Sequence, residues 1–303
     1  MPDWNQLLNE VRAAGGIYDL TRRKYLRQLS DITGRNVITY YSAWLQKADL
    51  QNQGVTGFEL NDSDKNGFMT AIHELDRSKG LDLILHTPGG GIAATESLVD
   101  YLRKMFGTDI RAIVPQLAMS AGTMVALSCK EVIMGAQSSL GPIDPQIYGL
   151  PAHGVIEEFD KAREEVREDQ TQIPVWQPII AKYNPTLVGE CQKAIDWSNQ
   201  LVAENLRSGM FEQDDVAEDK ARQVVEKLGN HALTLSHDRH ISMENARGMG
   251  VKVKALEDDN DFQDAVLTIH HACIQTFAAT PAIKIIENHK GEAFIQSVEA
   301  VMQ

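Results

Sequence analysis

The clearest hydrophobic pattern along the chain lies between residues 81 and 135. LDLILHT (81–87) is a short apolar run that stops at Pro88-Gly89-Gly90-Gly91. That combination predicts a buried strand entering a tight turn. Ile92, Thr95, Leu98, Val99, Leu102 and Phe106 then recur at helical spacing. IRAIVP (110–115) predicts a second strand, 120–129 a helix of small residues, and EVIMG (131–135) a third strand. Strand–helix–strand–helix–strand at this spacing predicts parallel pairing and an α/β class.

The flanks are patterned differently. Residues 1–50 read as helical, with Arg22, Arg23, Lys24 and Arg27 on a solvated face. VTGFEL (55–60) predicts a short strand, and 64–77 a helix with Phe68, Ile72 and Leu75 on one side. After Gly141-Pro142, residues 155–169, 175–208 and 215–229 are charged and helical in period. MENARGMG (243–250) predicts a short helix ending at glycine, and 260–303 are mostly helical in pattern. The expected organisation is an N-terminal helical arm (1–60), a core with inserted helices (61–255) and a C-terminal helical extension (256–303), with no internal repeat.

Composition narrows the function classes. The chain has 303 residues, 43% hydrophobic and 23% charged, enough for a full core and unlike a disordered or collagen-like chain. The formal charge of −13 and 6% aromatics argue against nucleic acid as a partner. Cys129, Cys191 and Cys273 are widely spaced and form no CxxC pair, so they predict reduced core thiols without a zinc site. The N-terminus lacks a basic-then-apolar leader pattern. The most apolar stretch, 112–129, is interrupted by Pro115, Gln116, Ser120 and Ser128 and predicts no membrane span. A cytoplasmic protein is the expectation.

Several short motifs carry candidate chemistry. DSDKNG (62–67) imitates the start of a calcium loop, but His73 stands where the closing glutamate belongs, so a capped turn is expected. PGGG (88–91) lacks a following Gly-Lys-Ser/Thr and does not make GxGxxG, so nucleotide binding is not expected. A glycine run after a buried strand does let backbone N–H groups approach a ligand closely, as an oxyanion hole requires. In Ala118-Met119-Ser120-Ala121-Gly122 a serine opens a small-residue helix, beside free backbone N–H groups. Two roles fit it: a nucleophile or an N-cap. The pentapeptide is similar to the GxSxG elbow, with Ala118 replacing the first glycine. His231, His237 and His240 read as turn histidines, and His270-His271 as helix residues too divergent to share a metal.

The blocks LDLILHTPGGGIAATESL (81–98), IVPQLAMSAGTMVALSCKEVIMG (113–135), SSLGPIDPQ (138–146) and LSHDRHISMENARGMGVKV (235–253) occur in that order. Together they resemble the serine dehydrogenase proteinase family of the Clp/crotonase superfamily, with signal peptide peptidase A and the Clp proteolytic subunit as more distant relatives. The resemblance covers roughly residues 20–255. It implies a Clp/crotonase-like spiral of ββα units with additional helices at both ends, and an ATP-independent serine endopeptidase without metal or cofactor. It assigns Ser120 as nucleophile, and the Ala121 N–H with one N–H from Gly89, Gly90 or Gly91 as the oxyanion hole. The strand near 81–87 would lie beside a protein or peptide substrate, and a homo-oligomer is implied.

A serine hydroxyl needs a base to remove its proton. The Clp subunit's histidine has no counterpart in SSLGPIDPQ. The signal-peptidase pattern of a later lysine points to Lys161 in EEFDKAREE. The apolar stripe of that segment runs through Val155, Phe159, Ala162 and Val166, and Lys161 points largely away from it. His153, His237 and His240 are the alternative bases. Asp144 either orients a base or caps the LGPID turn. The competing readings are a crotonase-like acyl-CoA enzyme, a non-catalytic oligomeric scaffold and a conventional α/β-hydrolase.

Overall fold

The strand Leu81–His86 is buried along its whole length. The structure, a computed structural model, describes residues 18–229 and 239–298. In chain order its main elements are α1 (Tyr18–Thr33), β1 (Asn36–Ser42), α2 (Ala48–Asn52), α3 (Asp64–Ile72), β2 (Leu81–His86), α4 (Ile92–Phe106), β3 (Ile110–Val114), β4 (Leu117–Ala118), α5 (Ala121–Leu127), β5 (Glu131–Met134) and β6 (Ser139–Leu140). There follow β7 (Gln146–Ile147), β8 (Leu150–Pro151), α6 (Ala152–Glu168), α7 (Ile173–Ile180), α8 (Leu187–Asn205), α9 (Ala217–Gly229), β9 (Ile241–Ser242), α10 (Met243–Met249), β10 (Val253–Ala255), α11 (Asn260–Ala279), β11 (Ala282–Asn288) and β12 (Ala293–Ser297).

The central sheet has seven strands in the order β10-β5-β3-β2-β1-β11-β12. The pairs from β10 through to β1 are parallel, while β11 pairs antiparallel with both β1 and β12. Successive side chains alternate between two apolar layers. Leu83 and Leu85 join Ile38, Ala112 and Val132 in one layer, under α4, α5 and α9. Ile84 joins Val37, Ile113 and Ile133 in the other, under α1 and α11. A strand covered on both sides has no polar face, which is why LDLILH reads as an unbroken apolar run. A satellite cluster of Ala152, Val155, Leu187, Cys191 and Ile195 joins α6 to α8.

The flanks depart from the sequence pattern. Residues 36–42, inside the expected helical arm, form β1, and 282–297, inside the expected helical extension, form β11 and β12. VTGFEL makes only one bridge, Leu60 to Gly90. The basic run on α1 is not uniformly solvated: the Arg22 side chain is fully buried and paired with the equally buried Glu287 of β11. Asp19 and Arg23 extend this pair into a network. Asp82 is likewise buried and held by Arg35 and Arg111. Charged residues enter an interior only when paired and hydrogen-bonded, and here the partners come from distant segments. The 175–208 stretch is broken into α7 and α8 around Asn184-Pro185. Among the described residues, no helix is long and apolar enough to cross a membrane.

Behind the end of β2, His86 lies against Trp44 and against His270 of α11, with ring centroids 4.4 and 5.3 Å apart respectively. Burial, and then the neighbouring His270, hold the His86 pKa well below the usual histidine range. Burial, with His271 beside it, lowers His270 to about 3. Both are therefore neutral when folded, whereas in the unfolded chain they titrate near ~6.5. The unfolded state binds more protons below that pH, so stability is complete above about 6.5 and falls as the pH drops. We expect the urea midpoint to fall between pH ~7 and ~5, with a loss of about 1–2 kcal/mol from His270 and a further loss of the same sign from His86. His270→Phe should flatten that fall, and an unchanged slope would contradict it.

Candidate active site

Two strand ends meet at the site. The Thr87 N–H donates to the Leu117 carbonyl at 3.1 Å, and the Met119 N–H donates to the Thr87 carbonyl at 3.0 Å. This parallel bridge between Thr87 and Ala118 brings the turn 88–91 against the start of α5. Gly89 has φ +102, and a side chain there would lie 2.7 Å from both the Met119 carbonyl oxygen and Ser120 Cβ. Only glycine fits that conformation and that approach.

Ser120 itself sits at φ +49 and ψ −115, in a region non-glycine residues rarely occupy. Its side chain makes no capping hydrogen bond to α5, so the hydroxyl is not spent as an N-cap. The helix behind it is entirely buried. Thr123 anchors it: the hydroxyl donates to the Ala118 carbonyl at 2.7 Å and accepts the Gly141 N–H at 2.9 Å. The SAGT and LGPIDPQ blocks are thus one structural unit, with the second pinned behind the serine.

Among the three glycines considered for an oxyanion hole, two have their N–H groups engaged. Gly89 N–H donates to Thr87 Oγ1 at 3.2 Å, and Gly91 N–H donates to the Leu60 carbonyl at 3.1 Å. The N–H groups of Gly90 and Ala121 have no partner among the described residues. Both the turn and Ser120 line one cavity of about 500 Å³. Its walls are mostly apolar, including Ile92, Met124, Ile143 and Ile147, with Ala194 and Trp197 contributed by α8. Glu59 and Gln146 are its polar wall residues besides Ser120. No signal in the sequence marked Trp197 or Ile147, because the wall forms only when α8 packs across the core.

The base candidates lie elsewhere. Lys161 is exposed on α6, with its ammonium 5.9 Å from the centre of the Trp176 ring, and it does not line the cavity. His153 is half-buried in the first turn of α6, and His240 is exposed just before β9; neither lines the cavity. His237 lies outside the described residues. Asp144 is buried. β2 is paired on both sides, so it offers no open edge to a peptide, contrary to expectation. The available edge is the continuation of β2 through Gly90, whose other neighbour is Leu60. The imitation calcium loop is ruled out at Asp64, which is buried against Lys284. Among the described residues, no cluster of histidine, cysteine or carboxylates is arranged to hold a metal.

Residues 15–290 match the family model of ClpP-like SDH-type serine proteinases. The chain belongs to this family. It is 30% identical over 235 residues to the uncharacterized protein MJ0137 of Methanocaldococcus jannaschii, covering 77% of this chain and 73% of that one. It is also 30% identical over 190 residues to the uncharacterized protein MJ1495 of the same organism, covering 63% of this chain and 57% of that one. The family match spans the glycine turn, Ser120 and the sheet from β1 into β11.

Gly89 offers a direct test of the geometry. Gly89→Ala should cost about 1–3 kcal/mol in urea unfolding, because it forces a Cβ into a positive-φ position against Ser120. Gly91, whose Cβ position is open, should accept alanine with no more than about 1 kcal/mol. Equal effects at the two positions would contradict the close approach.

Proposed function

We propose that this protein is an ATP-independent serine endopeptidase that acts on protein or peptide substrates through Ser120. The observation that carries the reading is a strained serine with an unspent hydroxyl, lining a cavity beside two unpartnered N–H groups. Ser120 Oγ attacks the scissile carbonyl carbon and releases its proton. The resulting oxyanion accepts hydrogen bonds from Gly90 N–H and Ala121 N–H, donors fixed before charge develops. Collapse expels the protonated amine of the leaving peptide, and water then hydrolyses the acyl-enzyme. The substrate backbone pairs with the edge at Gly90, and its side chain enters the apolar cavity. The proton passes from Ser120 Oγ to a base and from that base to the leaving amine; among the described residues neither a lysine nor a histidine lines the cavity, and its ionisable wall residue is Glu59.

The reading extends to the fold and assembly. The succession β3–β4–α5 supports the ββα unit of a Clp-type spiral. Exposed Ile173, Val175 and Ile179 on α7, with Tyr148 between β7 and β8, support a homo-oligomer.

Cleavage of an unfolded protein and fluorophosphonate labelling test the proposal. Ser120→Ala should lose labelling and lower cleavage by about 10³-fold or more. Lys161→Ala, changed on an exposed face, should keep most of the activity. Full cleavage by Ser120→Ala would overturn the nucleophile assignment, and loss of cleavage in folded Lys161→Ala would return the base role to that lysine.

A further inference from the structure

We propose that the buried Asp64–Lys284 ion pair is a positioning device for the oxyanion turn. This rests on the peptidase reading above. The pair lies in the core, with side-chain exposures of 1% and 0% and an N–O distance of 2.7 Å. Both partners also hold the backbone on either side of Leu60. Lys284 Nζ donates to the Glu59 carbonyl at 2.9 Å. Asp64 Oδ2 accepts the Asn61 N–H at 3.0 Å and the Tyr40 hydroxyl at 2.8 Å.

Leu60, clamped in this way, is the strand neighbour of the glycine turn. Its N–H donates to the Gly89 carbonyl at 2.7 Å, and its carbonyl accepts the Gly91 N–H at 3.1 Å. The contact is backbone on backbone: a side chain at Gly90 would come within 2.1 Å of the Leu60 carbonyl oxygen. In a parallel bridge, the central residue directs its own N–H away from that neighbour. The Gly90 N–H is thereby turned away from Leu60 on a turn that touches Ser120. Lys284 is carried by β11, which is held between β1 and β12, so the clamp connects the turn to the sheet. Among the described residues, the segment 55–60 has no strand partners of its own beyond this bridge. A single net-neutral buried pair therefore fixes where one oxyanion donor points, while neither charge lines the cavity.

The test uses the full chain with the paired replacement Asp64→Asn/Lys284→Met, which removes both buried charges and leaves a polar group facing Asn61. Four quantities are compared with wild type: kcat, KM, inhibition by a peptide boronate and affinity for a product peptide. The boronate forms a tetrahedral adduct that needs the oxyanion donors, and the product peptide does not. The expected result is a fall of about 10- to 100-fold in both kcat and boronate affinity. KM and product affinity, which depend on the edge at Gly90 but not on its N–H as an oxyanion donor, should change at least several-fold less than boronate affinity. The paired variant Asp64→Asn/Lys284→Gln removes both charges but keeps hydrogen-bonding groups at both positions, should shift the same quantities less, and serves if the first variant does not fold. Parallel loss of boronate and product affinity, or kcat within two-fold of wild type in a folded variant, would overturn the proposal. A wild-type protein inert to both substrate and boronate would instead overturn the peptidase reading and this proposal with it.

Discussion

The structure depends on one backbone contact, the approach of the Gly89 turn to Ser120. It is set by the bridge between Thr87 and Ala118, where two parallel strands make their last exchange of hydrogen bonds before diverging. At that distance no side chain fits between the segments. The serine is held at an unfavourable dihedral because the helix behind it is buried on all sides and tied to Gly141. Strain at a single residue persists only when its surroundings are over-determined, and this one is fixed by packing and hydrogen bonds together.

The centre of the fold was legible for a physical reason. β2, β3 and β5 lie between two helical layers, so both sets of alternating side chains are apolar and the runs stand out. The glycine turn and the small-residue helix were legible because close backbone approach leaves few residue choices. The margins were not. β11, AIKIIEN, carries Lys284, Glu287 and Asn288 in the interior, and their partners include Asp64, Arg22 and the Ala71 carbonyl. Nothing local distinguishes a lysine that will meet a distant aspartate from one that will meet water. Arg22 misled in the same way, since its sequence neighbours Lys24 and Arg27 do face solvent.

The candidate site divides along similar lines. Ser120 and the glycines belong to short segments whose local pattern already restricts their conformation. The cavity wall from α8 depends on a helix that packs across the core, and the edge available to a peptide depends on which strand already occupies each side of β2. Lys161 lies at a suitable separation along the chain, and it stands away from the cavity lining, as the apolar stripe of its helix already indicated. Its position over Trp176 belongs to the packing of α6 with α7.

The chain's last sheet strands have a consequence in time. β1, made early, has an open edge until β11 arrives to pair with it. Ribosomal synthesis runs from the N-terminus, so Ser120 and its glycine turn emerge long before Lys284. Until that lysine is in place, Asp64 has no cation and the Leu60 segment has no clamp. The Leu60 segment, and the glycine turn that it pairs with, is therefore fixed only once β11 has been made and has joined the sheet.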